Sequence, residues 1–147
     1  MASRIQWLCD GVDMPPVNTL LLEKWLGEVA AAHNRVLGTV TYIFCNDEKI
    51  LQVNRRFLDH DYYTDIITFD DTCGRVIRGD IYLSLDTVSS NARLVHATYN
   101  RELMRVIVHG ILHLCGINDK GPGEREIMEA NEDAALDMLA AMAPGVI

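Results

Sequence analysis

Apolar and polar residues alternate through IQWLC (5–9), with Ile5, Trp7 and Cys9 on one side, until Asp10–Gly11 and Pro15–Pro16 break the pattern. Period-two alternation of this length predicts a strand with one buried face. After Asn18, a capping residue, the period becomes helical: Leu21, Leu22, Trp25 and Val29 form one stripe that stops near Asn34. TVTYIFC (39–45) is β-branched and aromatic and reads as a second strand. Asn46 or Asp47 then caps a short helix carrying Ile50, Leu51, Asn54 and Phe57. TDIITF (64–69) and VIRGDIYLSL (76–85) predict two further strands joined by a DDTCGR turn, and Asp86 is placed to cap a helix over 87–97. A helix over 99–115 has the broadest apolar face, with Leu103, Val106, Ile107, Ile111 and Leu112, and Gly116 as its stop. A last helix over 124–142 carries Ile127, Met128, Leu136, Leu139 and Met142. The order βαβαββααα predicts one α+β domain over 1–147, a mixed sheet of about four strands covered by about five helices.

Composition narrows the class. With 147 residues, 49% hydrophobic and 23% charged, the chain is an ordinary globular protein. No apolar run approaches the ~20 residues of a membrane span. The opening MASRIQWLCDGVDMPP has no long apolar core, so a cytoplasmic location is expected. Cys9, Cys45, Cys73 and Cys115 show no CxxC spacing and read as reduced thiols, most of them in the core. The net charge of −8 argues against nucleic acid, yet residues 49–105 carry 8 of the 13 cations, at Arg55–Arg56, Arg75–Arg78 and Arg101–Arg105 among others. A local basic face on an acidic molecule is therefore expected.

The chemistry concentrates in HGILHLCGINDK (109–120). His109 and His113 are four apart, so they share a helix face with Cβ atoms about 6 Å apart. Two imidazoles on a rigid helix can converge on one ion. HxxxH on an apolar helix also arises as two satisfied core histidines. Gly116 lets the chain turn back after the helix, and Asp119 is the acid that returns. His109, His113 and Asp119 would hold one divalent ion, zinc by preference, and leave a coordination position open. A zinc peptidase needs glutamate directly after the first histidine as its base, and here that position is Gly110. An anionic third ligand leaves one net positive charge on a divalent ion, against two for three histidines. That implies a less acidic bound water and tolerance for other metals.

HGILHLCG resembles the core motif of the YbeY family of bacterial metal-dependent endoribonucleases and ribosomal RNA maturation factors. In that family the motif continues to an aromatic residue, an aspartate and a third histidine, which fall here on Ile117, Asn118 and Asp119. VNRRFLDHDYYTDIITF (53–69), GDIYLSLD (79–86) and EREIMEANE (124–132) are similar to further family segments, so the resemblance covers residues 46–133 in order. A family arginine just after the aromatic residue falls here on Leu58. The resemblance implies hydrolysis of single-stranded RNA in small-subunit ribosomal RNA processing and ribosome quality control. It carries two metal ligands over to His109 and His113, and the third by position to Asp119.

Arg105 and Arg101 lie one and two turns before His109 on the same stripe. They either place a phosphate beside the ion or form ion pairs, for example with Glu102. Arg55, Arg56 and His60 are further RNA-binding candidates, with Tyr62 and Tyr63 in a loop where they could stack on bases. Asp65, Asp70, Asp71 and Asp80 give no second metal site by sequence. Asp80 reads as a hydrogen-bonding anchor or a partner of a histidine N–H. Glu124 and Glu126 read as first-turn acids on the helix dipole. The rival readings are a ribosome-associated RNA-binding assembly factor with a structural metal, and a different metal-dependent hydrolase. Oligomeric state has no signature here.

Overall fold

A computed structural model describes residues 4–58 and 64–147. Its elements are β1 (Ile5–Cys9), α1 (Thr19–Ala32), β2 (Val36–Cys45), α2 (Asp47–Phe57), β3 (Ile66–Asp70), β4 (Val76–Ser84), α3 (Leu85–Leu94), α4 (Tyr99–Leu114) and α5 (Glu124–Met142). The strands form one mixed sheet in the order β1-β2-β4-β3. β1 and β4 pair parallel with β2, and β3 closes an antiparallel hairpin with β4. This is the α+β arrangement that the pattern predicts. No described helix is long and apolar enough to cross a membrane.

The main core lies on one face of the sheet. Val40, Tyr42, Phe44, Ile77, Ile81 and Leu83 meet Trp25 and Val29 of α1, Ile107 and Ile111 of α4, and Leu136 and Leu139 of α5. α2 covers the other face through a smaller cluster of Cys45, Ile50, Val53 and Ile67. Two buried hydrogen bonds tie the layers. Tyr42 donates its hydroxyl to the Ile107 carbonyl at 2.5 Å, and Trp25 donates Nε1–H to the Ala135 carbonyl at 2.7 Å. Both satisfy a polar atom that burial would otherwise strand.

α4 sits against the sheet at a residue without a side chain. A Cβ on Gly110 would stand 2.9 Å from Ile81 Cδ1 and 3.2 Å from Ile66 Cδ1. The residue after the first histidine thus faces the sheet, where a side chain would have to displace Ile81 or Ile66.

Several local expectations change. Ser84, not Asp86, caps α3: its hydroxyl accepts from the Thr87 N–H at 3.3 Å, while the Asp86 carboxylate accepts from the Asp47 N–H at 3.1 Å. Ile127 is 58% exposed, because the buried stripe of α5 runs through Met128, Glu132, Ala135, Leu136 and Leu139. Asp80 is exposed on the sheet surface and has no histidine partner among the described residues. Only Cys45 and Cys115 are buried, whereas Cys9 and Cys73 are exposed.

Two predictions follow from this packing. Gly110→Ala gains about 1 kcal/mol of helix propensity but overpacks a full core, a penalty of about 1–3 kcal/mol. Urea unfolding should show a net loss near 1 kcal/mol for alanine and a larger one for Gly110→Val, and a stabilising alanine would refute the close approach. Burial pushes the Cys45 thiol up to about 12 and the Cys115 thiol up to about 11. Iodoacetamide at neutral pH should label Cys9 and Cys73 but spare Cys45 and Cys115 until denaturant is added; labelling of all four in the native protein would contradict the burial.

Candidate metal centre

Thr98 starts α4 by accepting from the Arg101 N–H at 3.1 Å. Gly116, at φ +95°, ends it in the left-handed region. The N–H groups of Gly116 and Ile117 bond back to the carbonyls of His113 and Leu112. The chain reverses there and returns Asp119 to the helix, with Oδ2 3.4 Å from His109 Nε2. Two ligands at about 2.1 Å from a tetrahedral ion stand about 3.4 Å apart. That separation fits a shared ion. His113 lines the same cavity one turn further along α4. Among the described residues, no three His, Cys, Asp or Glu side chains converge tightly enough to form a complete metal shell.

The other ring nitrogen is engaged. His109 Nδ1 lies 2.6 Å from Glu132 Oε2. Glu132 Oε1 accepts from Arg105 Nη1 at 2.8 Å, and Arg105 Nη2 reaches Asp133 Oδ1 at 2.5 Å. Burial alone would lower the pKa of His109. The hydrogen bond and charge of Glu132, with the charges of Asp119 and Asp65, raise it above its ordinary value instead. Burial also pushes the carboxyl groups of Asp65 and Glu102 above their usual range, partly offset by His109 and Arg105 respectively.

These groups line a cavity of about 850 Å³ between α4, α5, the entry to β3 and the ends of α2 and α3. Among the described residues, its wall carries six acids (Asp65, Glu102, Asp119, Glu129, Glu132, Asp133) and four bases (Arg101, Arg105, Lys120, Arg125). The histidines aside, this described lining has a formal excess of two negative charges. A divalent cation would balance it.

Of the residues singled out by sequence, the structure brings His109, His113, Asp119, Arg101 and Arg105 to this cavity. Arg105 faces it with both terminal nitrogens committed to Glu132 and Asp133, so it braces the wall rather than standing free for a phosphate. Arg125 pairs with Glu129 at 3.1 Å. Arg101 and Lys120 line the cavity without an ion pair among the described residues. Arg55 and Arg56 do not line it: α2 presents Asn54 and Leu58 there, and the intervening arginines are exposed, Arg56 over the Phe57 ring. His60, Tyr62 and Tyr63 lie outside the described residues.

Sequence reasoning gave no role to Glu132 or Lys120, offered Glu102 only as an ion-pair partner of Arg101 or Arg105, and left Asp65 unassigned. For Glu132 and Glu102 a signal existed, since each is an acid on an otherwise buried helix stripe. For Asp65 and Lys120 none did.

Comparison with known proteins agrees along almost the whole chain. Residues 16–140 match the sequence profile of the family described as endoribonuclease YbeY. The chain is 57% identical over 136 residues to endoribonuclease YbeY of Phocaeicola vulgatus, covering 92% of this chain and 99% of that protein. It is 56% identical over 135 residues to the endoribonuclease YbeY of Parabacteroides distasonis, covering 92% and 95%. The solution structure of a Thermotoga maritima protein superposes with a TM-score of 0.65 at 27% identity, over 96% of this chain and 98% of that one.

The raised His109 pKa predicts a pH dependence of folding in the presence of chelator. Because the folded value lies above the unfolded one, this stabilisation is complete below about pH 6.5 and is lost as pH rises through the folded value. Urea midpoints measured from pH 6 to pH 9 should fall more steeply for the native chain than for His109→Asn. Parallel slopes would show that Glu132 and Asp119 do not favour the charged ring.

Proposed function

The chain belongs to the YbeY endoribonuclease family, and we propose that its α4–α5 cavity is the site where RNA is cut, around one divalent ion held by His109, His113 and Asp119. The protein is an endoribonuclease, a hydrolase of RNA phosphodiester bonds that works in ribosomal RNA processing.

The observation that carries the reading is the 3.4 Å approach of Asp119 Oδ2 to His109 Nε2 inside an acidic cavity. An enzyme for a polyanion has no use for a cavity with surplus negative charge unless a cation completes it. His109 and Asp119 would hold the ion together with His113, which lies on the same helix face. Zinc suits two nitrogens and one carboxylate, and the anionic ligand also admits harder divalent ions. When bound, the ion supplies a Lewis acid for a phosphoryl oxygen and a nucleophile from water at neutral pH.

The protein's own groups do the rest. Arg101 and Lys120, the cavity cations without a carboxylate partner among the described residues, hold the backbone phosphates that flank the cut bond. Arg105 offsets part of the charge of Glu132 and Asp133, which lessens their repulsion of the substrate. The substrate is single-stranded RNA, since the reacting phosphodiester must descend to a wall formed by two helices and a strand entry. In the cell this reading places the enzyme in the cytoplasm, on ribosomal RNA of the small subunit.

The test uses the purified chain and a labelled single-stranded RNA. Cleavage should stop with chelator, return with zinc, and fall in His113→Ala by at least ~100-fold, beyond the 10–100-fold typical of outer partners of a metal site. Arg101→Ala with Lys120→Ala should raise KM several-fold and flatten the salt dependence, with kcat changed less. RNA binding and metal binding without any cutting would instead make the chain an assembly factor with a structural ion.

A further inference from the structure

Glu132 occupies a position that packing alone would give to an apolar residue. It lies on the buried stripe of α5 between Met128 and Leu136 and is 6% exposed. A carboxylate there is unfavourable unless its oxygens are fully engaged. They are: Oε2 meets His109 Nδ1 at 2.6 Å and Oε1 meets Arg105 Nη1 at 2.8 Å.

We propose that Glu132 is the positioning residue of the centre, holding the His109 ring in its Nδ1–H form so that the Nε2 lone pair faces Asp119 and the divalent ion. The proposal rests on the metal reading above. A neutral imidazole carries one N–H, and the nitrogen that donates it cannot bind a cation. An acceptor-only group on Nδ1 therefore reserves Nε2 for the ion. Without that acceptor, Asp119 on the other side of the ring would draw the proton to Nε2, and the ligand nitrogen would be blocked. Asp65 also acts on His109 through its charge, without a hydrogen bond to the ring among the described contacts.

Arg105 sharpens the requirement. A guanidinium only donates, so the atom facing it must accept. Glutamate presents an acceptor to Arg105 and another to His109 at once. Glutamine cannot: with its carbonyl toward Arg105, its amide points at His109 and demands the opposite tautomer. Turned round, its amide meets the guanidinium donor to donor. Arg105 thus excludes the one orientation in which glutamine would serve.

The experiment reads the tautomer by 15N NMR of the imidazoles in chelator, on the alkaline plateau of their pH titration, with His109→Asn assigning the signal. It pairs this with zinc affinity from competition against a colorimetric chelator. The native chain should show Nδ1–H. E132Q should move toward Nε2–H and bind zinc 10–100-fold more weakly, and adding Arg105→Met to E132Q should restore the Nδ1–H form and most of the affinity. A merely structural role would shift the unfolding midpoint and leave the tautomer alone. Nε2–H in the native chain overturns the proposal, and that measurement stands even if E132Q fails to fold. An unchanged tautomer and affinity in folded E132Q overturns it too. If the native chain binds no divalent ion, the metal reading fails, while the tautomer still decides whether Glu132 sets the ring.

Discussion

The contact of Gly110 with Ile81 and Ile66 fixes the depth of α4 against the sheet, and the site depends on that depth. With the helix backbone drawn in at residue 110 and pinned by Tyr42 at Ile107, the opposite face of α4 is fixed too. His109 and His113 then look away from the sheet into the space that α5 bounds. Had residue 110 carried a side chain, α4 would ride outward, and His109 would lose its registration with Glu132 on α5 and Asp119 on the returning loop. Packing and chemistry are set by neighbouring residues of one helix, facing opposite ways.

Electrostatics explains how an acidic protein can act on RNA. The molecule as a whole carries −8, and the cavity itself holds more acids than bases. Two of its four cations are already neutralised by Glu132, Asp133 and Glu129. What remains is a centre that attracts a small, highly charged cation before it attracts phosphate. On the proposed reading, Arg101 and Lys120 near that centre would act on a substrate whose charge the ion already meets. In the absence of an ion, His109 takes up a proton more readily than an ordinary histidine, in answer to the same surplus of negative charge.

The sequence made most of the frame legible because the frame is local. Asn18, Asn46 and Thr98 cap their helices with side-chain oxygens, Gly116 stops α4, and the strands follow β-branched alternation. The HxxxH spacing and the returning Asp119 were readable for the same reason, since helix pitch and one glycine turn determine where they go. What escaped depends on distant pairings. Glu132 meets His109 from 23 residues away, and Asp65 joins the wall only because β3 pairs with β4 and α4 lies over them. Local period cannot encode either. It also pointed to Asp86 as a cap, whereas the Ser84 hydroxyl takes that place and the Asp86 carboxylate reaches across to α2. From its own helix Arg105 read as either a phosphate ligand or a member of an ion pair, and the position of α5 supplies the pair with Glu132 and Asp133.

Everything functional in this account requires a single ion bridging α4 and the loop that follows it. The most direct measurement is anomalous diffraction at the zinc edge from crystals of the native chain grown with zinc. The account places one peak within bonding distance of His109 Nε2, a His113 ring nitrogen and an Asp119 carboxylate oxygen, with Glu132 still on His109 Nδ1. A peak ligated by other residues, or no peak between the two imidazoles at saturating zinc, would contradict it.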